Sequence, residues 1–340
     1  MTSPAVVPAS LASVWTRRLS RGLFRGLFRG VGGVLLAAAI MGCASDSSSS
    51  SSDASTVQYV TTVPPFAMIL HPIVGARGDV MTLLNPGDSP HTYDLRPSDL
   101  RTIRQSTALI YGAESLDGWA ADLPDARTIE LLDLVPPVHR RSFDGATHGS
   151  APAATNAHAH ASGSPDPHFW TDPLAVRALL PALTDTLCAV DAPGCDTYRA
   201  NADSFATTLS ALDDHVQTAL APVRTTSVML AQPFFRYFLL RYDFSLTAVV
   251  APQPGHDPSP HAIDRLVARA RSQNVDAIFT QQALPPRAAR AVAEAADVPL
   301  QSLDPLGGGT GRTTYSDLLR WNVRQILDVL QPPPPSSSGS

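Results

Sequence analysis

The sequence TYRANADSFATTLSALDDHVQTALAPV, residues 197–223, determines how the rest of the chain is arranged. Its apolar side chains recur every three or four residues, as on one face of a helix: Phe205, Leu209, Leu212, Val216 and Leu220. No strand pattern interrupts it. A helix of this length would extend about 40 Å at 1.5 Å per residue, which is comparable to a whole domain. We therefore expect one long helix that joins two separate lobes.

Short β-rich runs alternate with helical patterns on both sides of this stretch. The predicted strands before it are 57–62, 80–84, 108–111 and 128–132, and the predicted helices are 64–74, 97–105, 116–123 and 174–189. After it, the predicted strands are 227–231, 246–250, 275–280 and 298–303, and the predicted helices are 234–241, 259–273, 285–296 and 315–330. Such alternation indicates βαβ units and parallel sheets. The predicted fold is therefore α/β, with two Rossmann-like lobes joined by one long helix.

Composition and charge agree with a globular protein of two domains. The chain has 340 residues, of which 44% are hydrophobic, so it can bury substantial cores. The net charge of -5 provides no basic surface, so no nucleic-acid partner is expected. The predicted organisation is a signal peptide (1–43), a Ser-rich tether (44–56), an N-terminal lobe (57–195) with a His-containing loop (145–164), a linking helix (196–224), a C-terminal lobe (225–330) and a disordered tail (331–340).

The first 43 residues have the pattern of an export signal. Arginines precede an apolar run at 31–41, which has signal-peptide length and is too short to span a bilayer stably. The run continues into IMGC, residues 40–43, which resembles a bacterial lipobox. The resemblance implies that Cys43 is lipidated and becomes the mature N-terminus. A conventionally cleaved or uncleaved signal is the alternative.

Export leads to an oxidising compartment, in which disulfides persist. The chain has 3 cysteines, and the two besides Cys43 are Cys188 and Cys195, on either side of AVDAPG. Their spacing is not that of a zinc knuckle, and no CxxC motif occurs. We expect a local disulfide between them, with two reduced thiols as the alternative.

Two segments before the long helix place a histidine among prolines and carboxylates. In DPHFWTDP, residues 166–173, the prolines stiffen the backbone around His168. In SPHTYDLRPSD, residues 89–99, His91 follows a strand, at the end where ligands bind in open α/β sheets. A polar tract just before His168 adds His148, His158 and His160. Together they indicate a divalent metal, held by the stiff turn and gathered by the tract; for the tract, a solvated linker is the alternative.

These two histidine segments resemble the signature segments of the TroA-like zinc- and manganese-binding proteins (cluster A-I) of bacterial ABC importers. SLDPLG, residues 302–307, the lipobox and the long helix agree with that family, and the resemblance extends from about 57 to 330. It implies two α/β lobes joined by a rigid helix, with a metal in the cleft and ligands from two loops of each lobe. By position, His91 and His168 match the N-lobe ligands, and Asp304 matches the C-lobe carboxylate.

The remaining ligand position departs from the family pattern. The family has His in zinc members and Glu in manganese members, within a His-Asp-Ala-aromatic-x-Tyr-Phe setting, whereas this chain has QPFFRYF at 232–238. Gln232 therefore occupies the ligand position, and an amide oxygen is a weak ligand for zinc. Gln232 could coordinate directly or through a water, or the site could be weakened. His256 and His261 are alternative donors, although their segment does not bind metal in the family.

The resemblance implies a monomeric receptor without enzymatic activity that captures Zn2+, or alternatively Mn2+, and delivers it to an ABC permease and its ATPase. Its lipid anchor would hold it in the periplasm or at the outer face of the cell membrane. No GxSxG, HExxH or P-loop motif points to an enzyme. A zinc-dependent hydrolase would need a general base, for which Asp166 and Asp172 are the candidates close in sequence. A surface adhesin with this fold is the third alternative.

Overall fold

A computed structural model describes residues 56–143, 163–252, 257–282 and 286–331. The N-terminal lobe contains the strands β1 (Val57–Thr61), β2 (Gly78–Thr82), β3 (Ala108–Tyr111) and β4 (Thr128–Glu130), in the order β2-β1-β3-β4. The C-terminal lobe contains β5 (Ser227–Leu230), β6 (Ser245–Val249), β7 (Ala277–Gln281) and β8 (Leu300–Leu303), in the order β6-β5-β7-β8. All neighbouring strands are parallel, which confirms the predicted fold class.

Helices follow most of the strands and cover the sheets. The helices up to the linking helix are α1 (Pro64–Val74), α2 (Pro97–Gln105), α3 (Glu114–Asp117), α4 (Leu131–Leu134), α5 (Pro173–Val190) and α6 (Cys195–Leu220). The C-terminal lobe adds α7 (Arg236–Arg241), α8 (Pro260–Ser272), α9 (Arg287–Ala296) and α10 (Tyr315–Leu330). The last helix, α10, packs against α6 and also against α1 of the N-terminal lobe. The two lobes therefore share a helical contact beside their sheets.

The long helix α6 has 26 residues, which corresponds to about 39 Å. One face is buried against α1, α5 and α10, and its apolar members are Tyr198, Ala202, Phe205, Leu209, Leu212, Val216 and Leu220. Burying one such Leu or Phe side chain contributes about 1.5–3 kcal/mol, so this face stabilises the junction strongly. At the start of α6, Cys195 forms a disulfide with Cys188 of α5, with Cα atoms 4.6 Å apart.

Helix α5 has the length and apolar composition of a membrane-spanning helix, and it is the one such helix in the described ranges. It packs along α6, and Leu179, Leu183 and Leu187 are fully buried in the N-lobe core. Its apolar character is explained by this packing.

Two short elements differ from the sequence prediction. The expected strand 128–132 ends at Glu130, and Leu131 begins α4, because a short apolar run is compatible with either a buried strand or a buried helix. The expected helix 116–123 is a four-residue helix, α3, followed by the 3-10 turn Gly118–Ala120. Asp117 leaves the helical conformation, with φ -141°, and its carboxylate accepts hydrogen bonds from the backbone N–H groups of Gly112 and Ala113.

Candidate metal centre

His168 lies in the turn that enters α5, and it is only 5% exposed. Oδ1 of Asp166 lies 2.8 Å from its Nδ1 and also accepts a hydrogen bond of 3.0 Å from its backbone N–H. A carboxylate at Nδ1 selects the tautomer in which that nitrogen carries the proton. Nε2 is therefore the ring atom suited to bind a metal, and the turn fixes its direction.

His91 lies in the 3-10 turn Pro90–Thr92, between β2 and α2. Helix α3 packs against this turn. The imidazoles of His91 and His168 have their ring centroids 6.2 Å apart, at an interplanar angle of 58°. The structure thus brings together the two N-lobe histidines that the sequence singled out.

Asp304 follows β8 and is 7% exposed. Oδ1 accepts hydrogen bonds from the backbone N–H groups of Leu306 (3.0 Å) and Gly307 (2.8 Å), and Oδ2 lies 2.9 Å from Nε of Arg312. Its main chain is held by Asn322 of α10, which accepts from the Asp304 N–H at 2.8 Å and donates to its C=O at 2.7 Å. Both carboxylate oxygens are therefore engaged by residues of the same lobe.

The loop after Asp304 borders the histidine segments. Nε1 of Trp170 donates to the carbonyl oxygen of Pro305 at 2.8 Å, and the Trp170 ring centroid is 5.4 Å from that of His168. Gly308 has φ +79°, and a Cβ built there would lie 2.8 Å from Cγ of Pro86, in the segment that leads to His91. Glycine permits both this conformation and this approach. The Asp304 loop therefore lies across the lobe boundary from both histidines.

Gln232 follows β5, at the carboxyl edge of the C-lobe sheet. Strand β7 separates β5 from β8, so Gln232 and Asp304 lie at the same edge but two strands apart. Oε1 of Gln232 is buried and accepts no hydrogen bond from the part of the chain that the structure describes. A buried acceptor without a donor costs about 1–3 kcal/mol, which a water or a cation at that oxygen would offset.

The predicted ligands do not form a complete cluster. Within residues 56–143, 163–252, 257–282 and 286–331, no group of three or more His, Cys, Asp or Glu side chains could hold a metal ion. His91 and His168 form a pair, whereas Asp304 is engaged by Arg312. His261 is exposed on α8. Cys43, His148, His158, His160 and His256 lie outside the described residues.

A buried ion pair across the lobes was not anticipated from the sequence. Arg236, the first residue of α7, is 2% exposed; its Nη1 lies 3.6 Å from Oδ2 of Asp166 and donates to the carbonyl oxygen of Ser142 at 3.2 Å. A buried carboxylate needs such a partner, since an isolated buried charge is costly. The available signal was an arginine inside the aromatic run QPFFRYF, at the variable position of the family's setting.

Neither candidate for a general base is placed as one. Asp166 is held between His168 and Arg236, and Asp172 accepts a hydrogen bond of 2.8 Å from the Leu174 N–H at the start of α5. Two parallel α/β lobes on a long helix, with a histidine pair and a carboxylate loop at their boundary, are the arrangement expected of a solute-binding protein.

Comparison with known families identifies the kind of solute-binding protein. Residues 60–329 match the family described as ZnuA, zinc-uptake complex component A, periplasmic, and the chain belongs to this family. Its members are extracytoplasmic substrate-binding components that work with an ABC permease and ATPase, and they are not enzymes. The predicted membership of the TroA-like group is confirmed.

Curated relatives include zinc and manganese proteins. ZnuA of Paracoccus denitrificans, a high-affinity zinc uptake system protein, is 27% identical over 300 residues, covering 80% of this chain and 91% of the relative. The manganese-binding lipoprotein MntA of Halalkalibacterium halodurans is 22% identical, and the match covers 87% of this chain and 96% of MntA. The zinc-binding protein AdcA of Streptococcus pyogenes is 24% identical, and the match covers 79% of this chain but 55% of AdcA. The chain thus spans about half the length of that relative.

Solved structures have the same fold. The periplasmic zinc-binding protein TroA of Treponema pallidum aligns with a TM-score of 0.67 and 19% identity, over 81% of this chain and 99% of TroA. FpvC of Pseudomonas aeruginosa, in complex with Mn2+, aligns with a TM-score of 0.68 and 21% identity, over 81% of this chain and 99% of FpvC. At these identities the likeness establishes the architecture of two lobes alone.

Proposed function

We propose that this protein binds Zn2+ between its two lobes and delivers it to the permease of an ABC importer. The observation that carries the proposal is the pair His91 and His168, with one ring oriented through Nδ1 by a buried carboxylate. Imidazole nitrogen is a preferred ligand of zinc, and an Asp on the second ring nitrogen is typical of zinc-bound histidines.

The separation of the two rings supports this role. Two imidazoles on one tetrahedral Zn2+, with Zn–N bonds of about 2.0–2.1 Å, would have their ring centroids about 5 Å apart. The observed separation of 6.2 Å exceeds this by about 1 Å, so the pair needs only a small closing movement to share a metal. His168 is fixed by Asp166, so the turn that carries His91 is the part expected to move.

Asp304 is the proposed third ligand, and Gln232 the fourth, either directly or through a water. Two imidazoles and a carboxylate form a sufficient set for zinc, with water completing the tetrahedron. Oε1 of Gln232 is buried and accepts no hydrogen bond from the described residues, which supports either a weak direct contact with the metal or a hydrogen bond to that water. Mn2+, which is named in two of the matches, prefers oxygen ligands, and the histidine pair therefore favours Zn2+.

The proposal also covers how the protein is anchored to the membrane and how it collects metal. Cys43 would be lipidated, and the tether 44–56 would hold a monomeric binding unit in the periplasm or at the outer face of the membrane. The tract with His148, His158 and His160 would collect metal near the cleft. MntA, a relative over most of its length, is named as a lipoprotein, which supports the anchor.

Thermal unfolding tests the proposal. Zn2+ at 100 times its dissociation constant should stabilise the purified protein by about 2.7 kcal/mol, and a chelator should reverse the effect. His168→Ala should remove most of the stabilisation, whereas His215→Ala, at an exposed position of α6, should retain it. A parallel titration with Mn2+ distinguishes the two metals. If neither metal changes the melting temperature of the wild-type protein, the proposal is wrong.

A further inference from the structure

Arg312 is held against the carboxylate of Asp304 by its surroundings. Its Nε lies 2.9 Å from Oδ2 of Asp304, and the two side chains are 17% and 9% exposed. The guanidinium carbon lies 4.5 Å from the ring centroid of Trp321 on α10, within cation–π range. A Cβ built at Gly309 would lie 2.3 Å from Nη2 of Arg312, so the absence of a side chain there makes room for the guanidinium.

The backbone of the same loop brings Arg312 back to Asp304. The Gly308 N–H donates to the Arg312 carbonyl at 2.9 Å, and the Arg312 N–H donates to the Gly309 carbonyl at 3.0 Å. Oδ1 of Asp304 meanwhile accepts from the backbone of Leu306 and Gly307. One loop thus supplies partners to both oxygens of the proposed metal-binding carboxylate.

The contact at Oδ2 can be exchanged. The N–H bond at Nε of Arg312 is not aligned with the carboxylate, so the contact is an ion pair without a directed hydrogen bond. Directed hydrogen bonds to charged groups are the stronger kind, so an ion pair that lacks one is broken at lower cost. A divalent cation also repels a guanidinium at short range. Arg312 and a metal therefore cannot both occupy the position beside Oδ2.

We propose that Arg312 competes with the metal for Asp304 and thereby lowers the affinity of the site. This inference rests on the proposed function and adds a residue that tunes it. Before Oδ2 can coordinate the metal, the ion pair must break and the guanidinium must leave its place beside Gly309 and Trp321. Arg312 would then return as the metal leaves, which favours release to a partner. Arg312 accordingly acts on the site through Asp304 and is not itself a metal ligand.

A double-mutant cycle tests the competition. Zinc affinity is measured against a chromogenic chelator for the wild type, Arg312→Gln, Asp304→Asn and the double variant. Arg312→Gln removes the charge and is expected to tighten binding about tenfold, equivalent to about 1.4 kcal/mol. The gain should be absent when Asp304 is already Asn, because no carboxylate remains to be released. Arg320→Gln, an exposed arginine of α10, is the matched control and should leave affinity unchanged.

Each outcome bears on the proposal. An equal gain in zinc affinity from Arg312→Gln in the wild-type and the Asp304→Asn backgrounds would show a general effect of charge and overturn competition for Asp304. If Arg312→Gln lowers stability without raising zinc affinity, the ion pair is only structural, and this result would also overturn the proposed competition. If Arg312→Gln does not fold, Gly309→Ala decides instead, since its methyl group displaces the guanidinium while Arg312 is retained; unchanged affinity then overturns the proposal. Failure of the proposed function would give a different result from failure of this inference, because the wild type itself would then bind no zinc.

Discussion

Oδ1 of Asp166 lies 2.8 Å from Nδ1 of His168, and both side chains are almost entirely inside the protein. The other oxygen of Asp166 lies 3.6 Å from the buried guanidinium of Arg236, which belongs to the opposite lobe. One carboxylate therefore orients the proposed zinc-binding ring and also connects it to the C-terminal lobe.

Replacing Asp166 by Asn should weaken zinc binding about 10–100-fold, the range typical for carboxylates that support a metal-bound histidine. The side chain keeps its size, but an amide can turn its NH2 towards Nδ1 and favour the tautomer in which Nε2 carries the proton. In that tautomer Nε2 has no lone pair available for a metal. Isothermal titration with Zn2+ measures the change.

Asp172→Asn is the matched control, because Asp172 lies in the same turn and is also buried. Asp172 caps α5 by accepting a hydrogen bond from the Leu174 N–H, and Asn caps helices about as well as Asp, so this variant should change stability little and leave zinc affinity unchanged. Equal losses of affinity in both variants would mean that Asp166 acts only through the integrity of the turn.

Gln232→His should tighten zinc binding, because it replaces a weak amide oxygen by an imidazole nitrogen at the position that the family uses for a ligand. An increase of about tenfold or more, measured by competition with a chelator, corresponds to about 1.4 kcal/mol. An unchanged dissociation constant would place Gln232 away from the metal.

Gln281→His provides the comparison for this experiment. Gln281 ends β7, the strand between β5 and β8, so it lies at the same edge of the sheet. A new histidine there should have a much smaller effect. If both variants bind zinc more tightly to the same degree, the gain comes from any added imidazole and does not identify the ligand position.

Periodicity in the sequence was sufficient to predict the longer elements. Helices α2 and α10 have the predicted bounds, and the 197–223 stretch lies almost entirely within α6. The ends of short elements depended on local contacts instead: Asp117 turns back onto the backbone of Gly112 and Ala113, which ends α3 early. No periodic pattern contains such a contact.

The same limit applies to the site. His91 and His168 could be located because prolines and carboxylates stand beside them in the sequence. The pairing of Asp166 with Arg236 joins segments of different lobes, and that of Asp304 with Arg312 depends on how a glycine-rich loop folds back. Arg236 stands out in the sequence only by its place in the aromatic run at 232–238, and Arg312 does not stand out at all, so packing in three dimensions gives both their roles.

Loss of the Cys188–Cys195 disulfide should destabilise the protein moderately. The two residues are 7 apart in sequence and join the end of α5 to the start of α6. Constraining so short a loop in the unfolded chain is worth about 2–3 kcal/mol. Guanidinium unfolding of the Cys188→Ser/Cys195→Ser variant should show this decrease, and a reducing agent should affect the wild type but not the variant. Identical midpoints would mean that the α5–α6 packing alone holds the junction.

The buried carboxyl of Asp117 should make stability depend on pH. It is 1% exposed, and burial raises its pKa from 3.8 to about 6, although hydrogen bonds from Thr62, Gly112 and Ala113 oppose the shift. The folded state therefore binds this proton more tightly than the unfolded state does. The resulting stabilisation is complete below a pH of about 4 and is lost as the pH rises through about 6. At about 1.36 kcal/mol per pKa unit, the free energy of unfolding changes by about 3 kcal/mol.

Urea unfolding between pH 4 and pH 8 measures this dependence. Relative to Asp117→Asn, which cannot titrate at this position, the wild type should gain stability as the pH falls through about 6. Thr62→Val removes a hydroxyl donor that lowers the pKa of Asp117, so it should move the window to higher pH. Parallel curves for the wild type and Asp117→Asn would mean that Asp117 titrates alike in the folded and unfolded states. The four hydrogen bonds would then fully balance the burial of its charge.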